Sequence, residues 1–432
     1  MTQLLSIAVA LAGGLFMTRI AGKFKLPDVT AYLIAGLLIG PSVLGRLNIA
    51  GIGFTTMESV EALDIICDVA LGFIAFAIGN EFRLSQIKKI GRQACIVGVL
   101  QAAITTAVVD VALIILHFII PDVISISVAI TLGAIAAATA PAATLMVVRQ
   151  YKAKGAVTEI LLPVVALDDA VGLVIFSFSF GIAKALTSGS ASILDIIVEP
   201  VLEISLSLAF GAVCGWLLAK AEAIFHSNRN RITLVVSFVI LTVAVSKAVF
   251  HLAQFKCGFS SLLVCMMLGT VFCNMSPLSE DIMDRSDKWT APLMTLFFVV
   301  SGAELQLGIL GNIYVLIIGF VYILSRSAGK YFGARFSSRL AGCDDNIIKY
   351  LGITLLPQAG VALGMSSLAM SGLGAAEGGL IRNITLFGVL VYELVGPSLT
   401  KMALTRSGDI KPKSAEVLSR RETAIQNAGR NK

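Results

Sequence analysis

The sequence predicts an all-α polytopic membrane protein with about 13 transmembrane helices. Hydrophobic residues make up 57% of the 432 positions and charged residues only 14%, whereas a soluble domain carries about 25% charged residues. Apolar stretches long enough to span a bilayer, about 20 residues each, follow one another almost without a break. Backbone groups in lipid must bond internally, and these long runs lack two-residue alternation, so they favour helices over a barrel.

Thirteen predicted spans are separated by short connections. They cover residues 3–20, 29–45, 58–79, 93–118, 126–148, 156–184, 198–220, 232–251, 258–274, 289–309, 312–334, 347–370 and 380–402. The first span has no basic region before it and no cleavage site, which predicts a retained helix. We therefore expect a transmembrane domain at 1–402 and a short basic cytoplasmic tail at 403–432. The tail lacks the strand pattern and GxGxxG turn of a nucleotide-binding domain.

Basic residues predict the orientation of the chain. Lys and Arg are concentrated after spans one, three, five, seven and eleven and in the tail, whereas the opposite connections contain little beyond Arg46, Lys184 and Lys256. Because cytoplasmic loops carry the excess of Lys and Arg, we expect the N-terminus outside and the C-terminus in the cytoplasm. The net charge of +6 is then a topology signal, and no nucleic-acid partner is expected.

Two predicted spans are interrupted by proline. Span five contains Pro141 between Ala140 and Ala142, and span twelve contains Pro357 followed by Gln358. A proline inside a helix removes a hydrogen bond and clashes with the preceding turn. The two prolines are 216 residues apart, and the same offset relates span four to span eleven and span six to span thirteen. This displacement by an odd number of spans predicts inverted repeats with two broken helices near a midplane site. A packing kink is the alternative for either proline alone.

Asp168 and Asp169 lie near the centre of the otherwise apolar span six. Two central acids cost roughly 5–7 kcal/mol on an insertion scale, so they are expected to face the protein interior or a water-filled cavity. Two close carboxylates do not both ionise easily, and such a pair can hold a proton and release it when a cation arrives. The sequence thus predicts a site where protons and a cation compete. Structural pairing of both acids inside a rigid bundle is the alternative.

Span eleven contains a candidate for the charge that balances these acids. Lys330 is deep enough to require a partner, and a carboxylate of span six is the natural one because no other acid lies nearby in span eleven. The alternative is a lysine that extends to the cytoplasmic interface. Arg326 lies one turn away, so the sequence leaves open which of the two cations points inward.

The broken helices are expected to supply further oxygen ligands. Carbonyl groups around Ala138, Ala140 and Pro141, with the Thr139 hydroxyl, suit a hard cation. Ligation by oxygen without Cys or His favours Na⁺, Li⁺ or K⁺ over transition metals. No resident cofactor is expected, and the absence of GxSxG, HExxH and phosphate-loop motifs argues against an enzyme.

Five motifs at different places along the chain together give it a family resemblance. They are Leu167-Asp168-Asp169, Gly329-Lys330-Tyr331-Phe332-Gly333, Leu355-Leu356-Pro357-Gln358-Ala359-Gly360-Val361-Ala362-Leu363, Tyr32-Leu33-Ile34-Ala35-Gly36 through Gly40-Pro41, and Phe297-Phe298 to Ser301-Gly302. With these motifs the chain resembles the monovalent cation:proton antiporter-2 family of bacterial sodium/proton and potassium/proton exchangers. The resemblance covers nearly the whole membrane portion.

The resemblance implies a sodium/proton antiporter-like fold in the bacterial inner membrane. Core helices at about 93–184 and 312–402 are expected to move against a dimerisation scaffold at about 1–79 and 198–309, in a homodimer. Asp169 looks like the principal ligand of Na⁺ or K⁺, and Asp168 like a proton carrier that pairs with Lys330 when no ion is bound. Thr139 matches the polar position of the first crossing helix. Members with this acid pair and lysine tend to move two protons per ion.

Two departures from the family pattern bear on the transported ion. Many relatives have an arginine where this chain has Gln358, so an ion pair is expected to be missing there. The glutathione-gated potassium members carry a Gln-Asp pair and a large nucleotide-binding tail, neither of which this chain has. We therefore expect electrogenic exchange of Na⁺ or Li⁺ for H⁺. The alternatives are K⁺/H⁺ exchange, or a passive cation channel or sensor of the same fold.

Overall fold

The structure is a computed structural model of the chain. It describes residues 3–24, 26, 28–47, 53–84, 91–140, 144, 147–148, 151–188, 193–247, 250–252, 255–257, 259–305 and 311–410. Pro141 lies outside the described residues, as does most of the predicted tail, residues 411–432.

The described chain is helical apart from one short hairpin. The helices are α1 (Gln3–Lys23), α2 (Asp28–Ile39), α3 (Met57–Glu61), α4 (Asp64–Glu81), α5 (Arg92–Ile119), α6 (Ile126–Ala136), α7 (Ala156–Ser188), α8 (Ile193–Glu222), α9 (Asn228–Ser246), α10 (Ser261–Met275), α11 (Ser279–Ala303), α12 (Ile313–Leu340), α13 (Asp345–Thr354) and α14 (Gly360–Arg406). A 3₁₀ turn spans Leu44–Leu47, and strands β1 (Phe250–Leu252) and β2 (Phe255–Cys257) form the hairpin.

The predicted fold class is confirmed. Each of the thirteen predicted spans contains described helix, and α14 covers the end of span twelve and all of span thirteen, with a non-helical backbone at Gly374 between them. In the described part, eight helices are long and apolar enough to cross a membrane, and α6 and α10 are apolar but shorter. The short length of α6 and α13 reflects the breaks, because α6 ends at Ala136 and α13 at Thr354.

Two boundaries differ from those predicted. Span ten was expected to begin at 289, but α11 begins at Ser279. The prediction missed this extension because its first turn is charged, with Glu280 and Asp281, and hydropathy detects only apolar helix. Span eight was expected to reach 251, but α9 ends at Ser246 and the hairpin follows. The two paired strands satisfy each other's backbone N–H and C=O groups beyond the end of α9.

The helices pack mainly in two groups. One contains α5, α6, α7, α12, α13 and α14, and the other contains α1, α2, α4, α8, α9, α10 and α11. Within the second group, a Cβ on Gly36 of α2 would collide with the Val299 carbonyl of α11, so these helices touch through their backbones. The assignment of the two groups to a core and a scaffold stays a prediction. Movement between them and dimerisation stay predictions.

Candidate ion-binding site

Two glycines of α12 bring this helix against α5. A Cβ on Gly329 would lie 3.0 Å from Thr105 Cα, and one on Gly333 would lie 3.2 Å from the Gln101 carbonyl oxygen. Small residues about one turn apart let two helix backbones approach closely. Lys330, next to the first glycine, is consequently fully buried, with 0% exposure, and its amino group reaches the interior of the helix group.

Lys330 and Asp168 form a buried ion pair at this contact. Lys330 Nζ lies 2.5 Å from Asp168 Oδ2 and donates at 2.9 Å to Thr139 Oγ1 and also to the Ala137 carbonyl. Asp168 further accepts hydrogen bonds from Thr139 Oγ1 and Gln101 Nε2. A buried ion pair is tolerated only when such additional bonds satisfy its remaining lone pairs and protons. The structure thus brings together the predicted residues Asp168, Lys330 and Thr139.

Arg326 also points inward, to a different set of acceptors. Its guanidinium donates to the carbonyls of Ala136 at 3.0 Å, Ala138 at 2.7 Å and Leu356 at 2.6 Å. These carbonyls follow the ends of α6 and α13, where a helix leaves its last C=O groups unpaired and carries partial negative charge. Arg326 and Lys330 are therefore both inward: Lys330 meets the carboxylate and Arg326 the broken backbone. The Ala138 carbonyl, expected as a cation ligand, is here an acceptor for Arg326.

The two broken segments contact each other directly. Ala140 N donates to the Pro357 carbonyl at 2.8 Å, and Thr139 Oγ1 lies 3.3 Å from the Leu355 carbonyl. Gln358 Nε2 donates to the Ile135 carbonyl at 3.0 Å and lies 3.0 Å from the Tyr322 hydroxyl. The neutral Gln358 thus helps to satisfy the end of α6, a position where an arginine was expected from the family pattern.

Asp169 faces a different environment from Asp168. It is 2% exposed and lines a cavity of about 480 Å³ together with Thr139, Ala140 and Ala359. Two exposed acids, Asp28 of α2 and Asp287 of α11, also line this cavity. Successive helix positions differ by about 100°, so adjacent carboxylates point to different neighbours. The acidic lining makes the cavity attractive to cations.

A second cavity, of about 870 Å³, lies toward the opposite end of α11. Glu304 follows the end of α11 and lines this cavity, whereas Asp287 near its start lines the first one. Seventeen residues of helix between them correspond to about 25 Å. Arg382 of α14 pairs with Glu304 at 2.6 Å, and Lys247 pairs with Asp68. These ion pairs involve four charged residues outside the predicted ion site.

Sequence reasoning missed Gln101 and Tyr322. Both are fully buried and bond to predicted site residues. A signal existed for Gln101, because it is an amide in the middle of the apolar run of span four, and a polar group at that depth needs a partner. Tyr322 gave no comparable signal, since tyrosine is common in membrane helices.

Comparisons with known proteins identify the family and the fold of the chain. Residues 7–406 match the family model described as sodium/hydrogen exchanger, transmembrane. The chain is 23% identical over 410 residues to the K⁺/H⁺ antiporter subunit KhtU of Bacillus subtilis, covering 93% of this chain and 91% of KhtU. It is 22% identical over 342 residues to the Na⁺/H⁺ antiporter NhaS4 of Synechocystis, covering 76% of this chain and 80% of that protein.

A solved structure shares the fold. The sodium proton antiporter MjNhaP1 of Methanocaldococcus jannaschii superposes with a TM-score of 0.74 at 19% identity, over 94% of this chain and 98% of that one. A likeness at this identity concerns the architecture alone, and the family rests on the match to 7–406. The chain therefore belongs to the sodium/hydrogen exchanger family: it is a multi-pass membrane protein and a cation/proton antiporter, not an enzyme.

Proposed function

We propose that this antiporter exchanges Na⁺ or Li⁺ for H⁺ by alternating access, with Asp169 as the principal cation ligand and Asp168 and Thr139 beside it. The observation that carries the proposal is the placement of two adjacent carboxylates. Asp169 lines a cavity that also contains the carboxylates of Asp28 and Asp287, and Asp168 is neutralised by Lys330 within the protein. A cation that enters the cavity meets the Asp169 carboxylate directly. It can bind the Asp168 carboxylate only after Lys330 has released it.

Release of Asp168 requires Lys330 to give way. Its Nζ lies 2.5 Å from Asp168 Oδ2, which is the position that a cation bound to that oxygen would occupy. The ammonium and the cation are therefore alternative partners of Asp168. When the cation binds, the lysine loses its proton or moves away, since a charged amino group without a partner is costly in a buried site. Proton binding and cation binding then exclude each other.

This competition supports an electrogenic exchange. One proton leaves Asp169 and a second one leaves Lys330 as a single cation arrives, so one net charge crosses per cycle. Moving one charge through 100 mV is worth about 2.3 kcal/mol. Such an exchanger can use the membrane voltage as well as the proton gradient to expel the ion.

Two alternatives for the transported ion fit the oxygen ligands, Na⁺ or Li⁺ on one side and K⁺ on the other, and one observation favours each. The Asp-Asp pair in place of a Gln-Asp pair favours Na⁺ or Li⁺. Similarity to a K⁺/H⁺ antiporter subunit over 93% of the chain favours K⁺. K⁺/H⁺ exchange is accordingly the second candidate, and the ligand set itself accommodates either ion.

The cavity at Asp169 is proposed to face the cytoplasm. Asp28 of its lining is the first residue of α2, and Asp287 lies near the start of α11. The basic connections place these two helix ends inside. The group containing α5–α7 and α12–α14 is proposed to move against the other group, which forms the scaffold of a homodimer.

Exchange by purified protein in liposomes tests the proposal. Proton movement is followed with a pH-sensitive dye while Na⁺, Li⁺ or K⁺ is added, with the voltage held constant. We expect Asp169→Asn to abolish exchange with every ion, because one ligand charge is lost, while the variant still inserts into the membrane. Wild-type rates in that variant would remove Asp169 from the site. Cation flux that ignores an imposed pH gradient would indicate a channel.

A further inference from the structure

Glu393 is a buried carboxyl group outside the Asp168–Lys330 network. It lies in α14 beyond Gly374 and is 1% exposed. Thr30 Oγ1 of α2 donates to Glu393 Oε2 at 3.3 Å, and Oε1 has no hydrogen-bond partner among the described residues. None of the ion pairs formed by the described side chains includes Glu393.

This contact lies directly behind the wall of the Asp169 cavity. Asp28 and Val29, which precede Thr30, line the cavity, and Val29 also packs against Ala140 and Ala359 of the broken segments. The contact also joins α2 of one helix group to α14 of the other. Any displacement between the groups changes the surroundings of Glu393 and the wall of the ion cavity together.

The sequence neighbour of Glu393 links it to the site from the other direction. The Tyr392 ring lies 4.4 Å from the Arg326 guanidinium, and its hydroxyl donates to the Ile323 carbonyl at 2.7 Å. Arg326 in turn holds three carbonyls of the broken segments. The segment of α14 that carries Glu393 is thereby held against α12 beside the ion site.

The surroundings favour the neutral acid over the carboxylate while α2 and α14 are in contact. A buried charge without a cation or a full set of donors is strongly disfavoured. Among the charged or titratable side chains of the elements packed against α14 are Asp28 and Tyr32 of α2, Asp168 and Asp169 of α7, Asp287 of α11, and Tyr322, Arg326 and Lys330 of α12. Of the two buried cations, Arg326 is committed to the carbonyls and Lys330 to Asp168.

We propose that Glu393 is a further proton-binding site of this antiporter, holding a proton while α2 and α14 are in contact and releasing it when they separate. On separation the carboxyl O–H bond breaks, the proton passes to water in the widened cavity, and the carboxylate is solvated. Recontact requires the proton to return. Glu393 thus couples proton binding to the contact between the helix groups, an inference that rests on the proposed alternating access.

Infrared spectroscopy of the purified protein tests proton binding directly. A buried carboxylic acid gives a C=O stretching band that carboxylates lack and that shifts in D₂O. We expect Glu393→Gln to lose one such band at neutral pH, while Glu377→Gln, a control on the same helix, keeps it. An unchanged acid band in Glu393→Gln would overturn the proposal, because Glu393 would then be ionised in the contact.

Exchange measured against pH tests the coupling. Glu393→Gln fixes the neutral form, so we expect its pH profile to lose one proton-dependent step while the cation dependence stays that of wild type. Identical profiles would overturn the coupling. If wild type does not exchange, the proposed function fails, and the infrared result still decides whether Glu393 holds a proton. Should Glu393→Gln not accumulate, Thr30→Val removes the donor and is expected to shift the acid band; an unshifted band would contradict the contact.

Discussion

Asp168 and Asp169 are adjacent in sequence and have different surroundings. Asp168 accepts from Lys330, Thr139 and Gln101 inside the helix group, whereas Asp169 lines the cavity. Because the helix turns about 100° per residue, one peptide step separates the neutralised acid from the acid that faces the cation. An acid pair at this spacing can thus divide the work of proton exchange and cation binding.

Loss of the lysine is expected to destabilise the protein. Lys330→Ala leaves Asp168 buried, at 0% exposure, without its cation, and breaking a buried pair in this way costs about 3–5 kcal/mol. We expect a lower midpoint of thermal unfolding in detergent, and a change in the number of charges moved per cycle. Lys349→Ala is the matched control, because Lys349 is exposed on α13. Unchanged stability together with unchanged stoichiometry would reject the pairing.

The sequence identified the charged residues of the site more readily than their partners. Asp168, Asp169 and Lys330 are conspicuous because charge within an apolar span is costly. The acceptors of Arg326 were not predictable, because they depend on where the ends of α6 and α13 meet. Composition reveals that a buried charge needs compensation, but only the packing of distant segments decides which group compensates it.

At the scale of helices, the contact between α5 and α12 depends on glycine. A Cβ on Gly329 would approach Thr105 Cα to 3.0 Å, and the neighbour is backbone rather than a flexible side chain. The two helices must separate to admit it, and Lys330 would then withdraw from Asp168. Site geometry is therefore encoded partly in residues that have no side chain.

Gly329→Ala is expected to lower stability by about 1–3 kcal/mol, the usual cost of overpacking, and to slow exchange. Gly22→Ala in α1 is the control, because no atom lies within 4 Å of the added Cβ and alanine favours helix. Thermal unfolding and liposome exchange measure both effects. Equal behaviour of the two variants would show that the close contact of α5 and α12 does not depend on Gly329.

The start of α7 is held by a residue near the other end of the described chain. Asp409 Oδ2 accepts from the Thr158 N–H and from Thr158 Oγ1, both at 2.8 Å. Asp409→Ala removes this cap from the helix that carries both site acids, so we expect a loss of about 1 kcal/mol. Asp122→Ala, exposed between α5 and α6, is expected to leave the unfolding midpoint unchanged. A midpoint for Asp409→Ala equal to wild type would contradict the capping role.

Helix breaks were easier to predict than helix ends. Pro357 correctly indicated the non-helical segment between α13 and α14, because proline has a fixed backbone cost. The predicted tail at 403–432 begins within α14, which continues to Arg406, and Ile410 is buried against α7 and α13. Hydropathy does not show that a polar stretch packs back on the protein, because Asp409 and Ile410 alone are enough to hold it there.

Across the whole molecule, the two cavities differ in what they reach. The cavity of about 480 Å³ includes Asp169, whereas the described lining of the 870 Å³ cavity contains no residue of α7. On the latter side Arg382 of α14 contacts Glu304 at 2.6 Å and Ser301 at 3.0 Å, which belong to the other helix group. Arg382 also donates to the Leu363 carbonyl at 2.7 Å. These contacts join the two groups on the side that we propose to be closed.

Weakening this connection is expected to open the closed side. Glu304→Gln keeps a hydrogen-bond acceptor but removes the charge, and a charge-assisted bond of this kind is worth about 1.5 kcal/mol. That difference is about tenfold in an equilibrium constant.

Leu71, 5% exposed and part of the 870 Å³ cavity, is replaced by cysteine in a chain whose seven native cysteines are changed to serine. We expect a thiol reagent to label it about tenfold faster when Glu304→Gln is present, because α14 packs on Leu71 at Gly364 and uncovers more of it when α14 leaves α11. Glu58→Gln, exposed on α3, is the control and should leave the rate unchanged. Equal labelling rates with and without the charge would mean that Arg382 and Glu304 do not hold this side shut.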